Sequence, residues 1–214
     1  MAAALIAACG DGSGDSSARQ DEASSNASTA EVEERLAEWR ELVGAGSYAE
    51  AATHARGTLN DHPRSALAHY MVSASAWYTN DRATVLAEAR EAVRLDSTDA
   101  RFVEMLALGY QSHMRLDSAE LYWARLTRLR PDDPGAWLDL GRIAHANGNW
   151  LRADSAFYML DSLAPMHFDT APFDGRMMLE NRVEIRRALG DAAAPQWVPR
   201  AFAAASRRDS AGAP

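Results

Sequence analysis

The chain has no lysine, a single cysteine and no long hydrophobic run. With Cys9 as its only cysteine, it has neither a disulfide framework nor a cysteine zinc site. Because no stretch of about 18 apolar residues occurs, no transmembrane helix is predicted. A basic excess is also missing, since 22 arginines stand against 30 acidic residues and the net charge is −8. This balance disfavours a protein that binds nucleic acid through its phosphates.

Sequence motifs for catalysis and for cofactor binding are missing too. The chain contains no phosphate-binding loop, no dinucleotide fingerprint and no G-x-S-x-G element. Its six histidines are scattered, and none forms H-E-x-x-H or a close metal-ligand pair. His167 and Asp169 are near neighbours, but no motif places a nucleophile beside them. We therefore predict a protein that is not an enzyme and that uses no metal and no small-molecule cofactor.

A pattern of small, aromatic and proline residues recurs every 34 residues. The last copy contains Trp137, Leu140, Gly141, Gly148, Ala153, Phe157 and Pro165. The copy before it has equivalent residues at Leu106, Ala107, Tyr110, Ala119, Trp123 and Pro131. Weaker copies further back retain Ala89, Ala92 and Leu95, and then Gly46, Tyr48, Ala51 and Pro63.

This pattern resembles the tetratricopeptide repeat (TPR), whose unit is a pair of helices. The resemblance implies an all-α fold, a right-handed α-solenoid of about four TPR helix pairs with a C-terminal capping helix. The array covers residues 31–167, with units at 32–65, 66–99, 100–133 and 134–167. Small residues such as Gly141 and Ala153 let paired helices approach closely, and Trp123 and Phe157 fill the space against the next unit.

Helix starts and the C-terminal region complete the expected architecture. Ser47 with Glu50 and Asp117 with Glu120 match capping boxes, and Asp133 precedes a proline in the first helical position. Residues 168–190 are expected to contain the capping helix. The tail 191–214, rich in alanine and proline, is expected to be mostly disordered.

The N-terminal segment Leu5-Ile6-Ala7-Ala8-Cys9 resembles the lipobox of bacterial lipoproteins, which implies that Cys9 carries a lipid. Residues 1–9 would be a truncated signal of that kind, because no basic residue precedes a short apolar stretch. Residues 10–30 lack aromatic and large aliphatic side chains and are expected to form a flexible polar tether. This predicts a lipid-anchored protein of the bacterial cell envelope that faces the periplasm, with the outer membrane favoured, or is exported. If the lipobox match is accidental, the protein is cytoplasmic.

TPR arrays bind proteins or peptides along the concave groove lined by the first helix of each pair. The resemblance places these residues in the groove: Tyr70, Ala74, Trp77, Tyr78, Arg101, Glu104, Gln111, Arg142 and His145. Aromatic residues beside arginine are typical of binding hot spots. The same aromatics at helical spacing are equally compatible with packing between repeats, and the sequence leaves both interpretations open.

The sequence thus favours a protein–protein interaction scaffold that docks a protein partner to assemble or position a membrane complex. Its other partner would be the membrane, through the lipid on Cys9. A permanent structural subunit of a larger complex is the first alternative, and a soluble cytoplasmic TPR adaptor is the second.

Overall fold

The computed structural model describes residues 13–163, with side chains from Thr29 onward apart from that of Asp161. Within this range the chain forms eight α-helices and no strand. They are α1 Ser13–Gly44, α2 Tyr48–Asp61, α3 Ala66–Tyr78, α4 Arg82–Leu95, α5 Ala100–Ser112, α6 Leu116–Leu129, α7 Pro134–Ala146 and α8 Trp150–Leu163. Each helix packs on the next one along the chain.

The helix boundaries recur with the 34-residue period of the sequence. First helices end at Gly44, Tyr78, Ser112 and Ala146, and second helices begin at Tyr48, Arg82, Leu116 and Trp150. The prediction of an all-α solenoid of four helix pairs is confirmed. The predicted capping helix at 168–190, the tail 191–214 and the lipobox segment 1–9 lie outside the described residues.

One backbone conformation joins the two helices of every pair. A left-handed residue recurs at Gly46, Asn80, Met114 and Gly148, with φ of 75°, 58°, 56° and 75°. The next amide donates to the carbonyl five residues back, as in Arg115 to Tyr110 at 3.0 Å, which is the Schellman closure. Glycine adopts this φ freely, whereas Met114 bears a steric cost of about 1–2 kcal/mol.

Helix capping follows the sequence prediction at Asp133, whose side chain accepts from the Gly135 amide at 2.9 Å. The other two predicted capping boxes do not form. Ser47 stands at the N-cap position of α2, as predicted, but its side chain makes no capping hydrogen bond. The helix α6 already begins at Leu116, so Asp117 lies inside its first turn. The turn at Met114 sets that start, because its closing hydrogen bonds fix where the next helix begins.

The N-terminus differs from the sequence expectation. The backbone is helical from Ser13, so residues 13–30 belong to α1 where a polar tether 10–30 is predicted. This stretch has no proline, and its alanine, glutamate, glutamine and arginine residues are good helix formers. It also continues directly into Val32 and Leu36, which are buried in the core.

Small and large residues alternate in the core as the repeat pattern predicts. Ala119 and Ala153 are fully buried, as is the ring of Phe157, and Trp123 is nearly so. Gly141 lies against the Phe157 ring, so close that no side chain fits between α7 and α8. The core therefore depends on glycine or alanine at the places where helices cross.

Candidate functional site

The first helices α1, α3 and α5 lie side by side, because α1 contacts α3 and α3 contacts α5. We call the exposed surface of α1, α3, α5 and α7 the first-helix face. It is the surface on which the TPR resemblance places a groove.

Tyr70 lies at the centre of this face and belongs partly to the core. Its ring packs edge-on against Trp39, with centroids 6.2 Å apart, and at a tilt against Phe102, with centroids 5.5 Å apart. The guanidinium of Arg101 lies 5.7 Å from the ring centroid. Burial raises the pKa of the Tyr70 phenol.

Trp77 and Tyr78 are exposed at the C-terminal end of α3, at 42% and 46% respectively. The Tyr78 ring stacks on that of Tyr48 in the preceding unit, with centroids 4.8 Å apart. Tyr78 is therefore compatible with both interpretations that the sequence left open, since it packs between repeats and is still exposed enough to contact a ligand. We call Tyr48, Trp77 and Tyr78 the aromatic patch.

Three of the residues assigned to the groove are engaged inside the array. Ala74 is buried and offers no side-chain surface, because the inner side of α3 packs into the core. The Gln111 side-chain oxygen accepts from the Trp123 indole at 3.2 Å. His145 packs edge-on against Trp150, with centroids 4.9 Å apart. Gln111 and His145 therefore each contact a tryptophan on the second helix of their own unit.

The charged residues assigned to the groove each have an intramolecular counter-ion. Arg101 donates hydrogen bonds to the carboxylate of Asp99, the shortest at 2.6 Å. Glu104 accepts from Arg130 at 2.8 Å. Arg142 lies 3.7 Å from Asp139. Two of these pairs are local to one helix, whereas Glu104–Arg130 joins α5 to the end of α6, and all three limit how much of each charge is available to a ligand.

Sequence reasoning missed Arg40 as a site residue. Its side chain is exposed, and it makes no ion pair or hydrogen bond with the described part of the chain. The positive charge of Arg40 lowers the pKa of the Tyr70 phenol slightly, against the larger effect of burial. The 34-residue period contained the signal, because Arg40 is equivalent to Ala74, Leu108 and Arg142.

A cavity of about 690 Å³ lies at the edge of the first-helix face, where α3 and α5 begin. Its lining includes Glu33 of α1, Arg64 of the α2–α3 turn, and Arg101 and Phe102 of α5. Because Arg101 lines this cavity, the cavity adjoins the Arg101–Tyr70 contact.

The described residues contain no group of three or more histidine, cysteine or acidic side chains that could hold a metal. Between Ser13 and Leu163, no helix has both the length and the hydrophobicity to cross a bilayer. His69 contacts Glu88 at 2.6 Å, in a pair that links α3 to α4. Cys9, His167 and Asp169 lie outside the described residues.

Several solved structures resemble this chain. MamA from Desulfovibrio magneticus RS-1 aligns with 65% of this chain and 78% of its own length, at 19% identity and a TM-score of 0.57. YrrB, a TPR protein with an unusual peptide-binding site, aligns with 75% and 93%, at 18% identity and a TM-score of 0.59. A thermophilic TPR protein from Thermus thermophilus aligns with 82% and 97%, at 16% identity and a TM-score of 0.53. No family model and no curated protein matches the sequence.

These similarities establish the fold of the array. At identities below 20% they do not carry over a partner or an activity. The chain has the TPR fold, as its 34-residue period predicts.

Proposed function

We propose, from the TPR fold of this chain, that it is a non-enzymatic scaffold whose first-helix face binds a segment of a protein partner. The observation that carries this proposal is the exposure of Trp77 and Tyr78 on a face whose other large side chains are engaged. Exposed aromatic clusters of this kind are typical of protein-binding surfaces. The peptide-binding site named for YrrB supports the same use of the fold.

The test is a crosslinked pull-down from detergent-solubilised cell envelopes with a double variant, Trp77→Ala/Tyr78→Ala. Tyr70 is left intact, because its ring packs in the core. Leu121→Ala is the matched control, since Leu121 is 59% exposed on the second helix α6. We expect the double variant to lose a partner that the control retains, with both variants keeping wild-type helix content by circular dichroism. Retention of every partner by the double variant would contradict the proposal.

A second candidate, a permanent structural subunit, is favoured by apolar residues exposed on second helices. Leu121 and Leu151 on α6 and α8 are the most exposed leucines of the described chain, and Tyr158 is half exposed. A subunit that uses this surface would lose its partner in the Leu121→Ala sample and keep it in the Trp77→Ala/Tyr78→Ala sample. The same experiment therefore separates the two functions.

The site of action is a further part of the proposal. The lipobox-like segment ending at Cys9 supports lipid anchoring in the cell envelope, facing the periplasm, where the scaffold would assemble or position a membrane complex. Labelling cells with radioactive palmitate should mark the wild-type chain and not Cys9→Ser, and globomycin should shift the mobility of the wild type only. An unlabelled wild-type chain would favour the cytoplasmic adaptor.

A further inference from the structure

Two exposed arginines share the ring of Tyr110, where the second unit packs on the third. The guanidinium carbon of Arg90 on α4 lies 5.2 Å from the ring centroid, and that of Arg115 in the α5–α6 turn lies 5.9 Å from it. Arg90 also donates from Nε to the Tyr110 hydroxyl at 3.2 Å. The ring is held in place by Tyr122 of α6, which stacks on it with centroids 5.5 Å apart. We call Arg90, Tyr110 and Arg115 the arginine–tyrosine cluster.

Neither arginine of this cluster has a carboxylate partner in the described chain. A third arginine, Arg82, lies at the same end of α5 and donates only to the Ser112 carbonyl, at 3.4 Å. Exposed charges act over about 10 Å at 0.1 M salt, so the acidic balance of the whole chain does not cancel this local excess. The carboxylates of α4 and α6 are engaged elsewhere, Glu88 with His69, Glu91 with Arg94, Asp117 with Asn147, and Glu120 with Asn147, Asn149 and Arg152.

The 34-residue period shows that packing between units does not require this pair of arginines. The equivalent residues are Arg56, Ala76 and Asp81 between the first and second units, and Ala124, Ala144 and Asn149 between the third and fourth. The first of these sets combines an arginine with an aspartate, and the second has no charge. Only the cluster places two like charges on one ring, an arrangement that an anion between them stabilises.

We propose that the arginine–tyrosine cluster binds a terminal phosphate group, that is, a phosphomonoester. Such a group carries a charge of about −1.5 to −2 at neutral pH and three acceptor oxygens, which matches two guanidinium groups better than the single charge of a carboxylate does. Arg90 uses only its Nε within the chain, and Arg115 makes no hydrogen bond with the described residues. The Tyr110 hydroxyl accepts from Arg90 and can donate its own proton to a phosphate oxygen.

This site goes beyond the proposed docking of a protein, because Arg90 and Arg115 lie outside the first-helix face. The phosphate comes either from a small soluble phosphomonoester or from the headgroup of phosphatidic acid in a membrane. Both sources present the same chemistry to the cluster, and glycerol 3-phosphate reproduces it in solution.

The test is a titration of the full chain with glycerol 3-phosphate, followed by NMR of the arginine Nε–H groups, with acetate at equal ionic strength as the comparison anion. The variant is Arg115→Asp, which introduces the acid that the preceding unit has at Asp81. Arg128→Asp is the matched control, because Arg128 is an exposed arginine of α6 without a counter-ion in the described chain, and the change in charge is the same. Circular dichroism verifies that the chains fold.

We expect the wild type and Arg128→Asp to bind glycerol 3-phosphate equally well, with the largest shifts at Arg90 and, in both chains, at Arg115. Acetate should bind roughly tenfold more weakly, and Arg115→Asp should weaken glycerol 3-phosphate binding roughly tenfold or more. Equal weakening by the two variants, equal binding of acetate, or no saturable shift in the wild type would overturn the inference. If Arg115→Asp does not fold, Arg90→Gln takes its place with the same expected loss, and unchanged affinity in that variant would overturn it.

Sedimentation with vesicles distinguishes the two sources of the phosphate. One set of vesicles contains phosphatidylcholine alone and the other contains phosphatidic acid in addition. Binding only to the second set, lost in Arg115→Asp and inhibited by glycerol 3-phosphate, would support the site and assign it to the lipid headgroup. Glycerol 3-phosphate binding without vesicle binding would support the site and assign it to a soluble ligand.

Discussion

Replacing Gly141 by alanine should destabilise the array, although alanine is the better helix former. In an open helical position this change stabilises a protein by about 0.5–1 kcal/mol. At Gly141 the added Cβ would lie 2.5 Å from one ring carbon of Phe157, and 2.7 and 2.9 Å from two more. The ring is fully buried, so it can move away from the new methyl group only by displacing the side chains around it.

The size of the effect follows from these two opposing terms. Overpacking a close-packed core costs about 1–3 kcal/mol, and the helix propensity of alanine returns up to about 1 kcal/mol. Because three ring atoms lie within 3.0 Å of the new methyl group, we expect a net loss of roughly 1–2 kcal/mol. Gly57 in α2 is the matched control, since a Cβ there meets nothing within 4 Å. Gly57→Ala should raise stability by about 0.5–1 kcal/mol.

Urea unfolding of the full chain, followed by helical circular dichroism, measures both variants against wild type. The double variant Gly141→Ala/Phe157→Leu should be more stable than the sum of its single changes, because the smaller side chain relieves the overlap. If Gly141→Ala is as stable as Gly57→Ala, the close approach of α7 and α8 does not set the requirement for glycine, and the packing argument is refuted.

The turns, the polar contacts between units and a buried carboxylate give three further predictions. Met114→Gly should raise the free energy of unfolding by about 0.5–1 kcal/mol, because it relieves a left-handed φ of 56°; an unchanged urea midpoint would contradict this. Glu120→Ala should lower stability by about 1–3 kcal/mol, because the Glu120 carboxylate accepts hydrogen bonds from Asn147 at 2.7 Å and from Asn149 at 2.6 Å. Amide hydrogen exchange should become faster in α7 and α8 than in α3. An equal increase in exchange rate in all three helices would refute this prediction. Burial raises the pKa of Asp139, so the folded chain holds this proton more tightly than the unfolded one. Protonated Asp139 therefore stabilises the fold below the pKa of the unfolded chain, and this stabilisation is lost as the pH rises through the higher pKa of the folded chain. Asp139→Asn, which cannot ionise, should be more stable than wild type at pH 7, and the difference should disappear below about pH 3.9. A difference in stability that does not change with pH would contradict the raised pKa.

The repeat period predicted the fold because each of its residues meets a local steric requirement. Gly141 and Ala153 must be small where helices cross, and Phe157 must fill the space they leave. Because these contacts form within one unit or between neighbouring units, the residues that make them recur in every unit along the chain. Met114 was missed because the requirement at its turn is a backbone angle, which the sequence reveals only where the residue is glycine.

The candidate site was less predictable, because a helix position does not determine what its side chain contacts. Trp77 and Gln111 occupy equivalent positions, yet Trp77 is exposed and Gln111 is bound to Trp123. Asp117 and Glu120 match a capping box, yet Glu120 is buried and links α6 to the α7–α8 turn. These choices depend on partners in other helices, which no single-unit pattern contains.

The proposed binding surface and the polar contacts that stabilise the array involve different residues. In the half formed by α5 to α8, polar side chains form contacts within a unit, as in Glu104 with Arg130, and between units, as in Glu120 with Asn149. In the half formed by α1 to α3, Arg40 and the Tyr70 hydroxyl remain without such contacts in the described chain. Because a repeat array is stabilised by nearest-neighbour contacts, a change at Arg40 should leave α7 and α8 undisturbed. Substitutions of the exposed Arg40 should therefore have little effect on stability, whereas substitutions of the buried Glu120 should lower it.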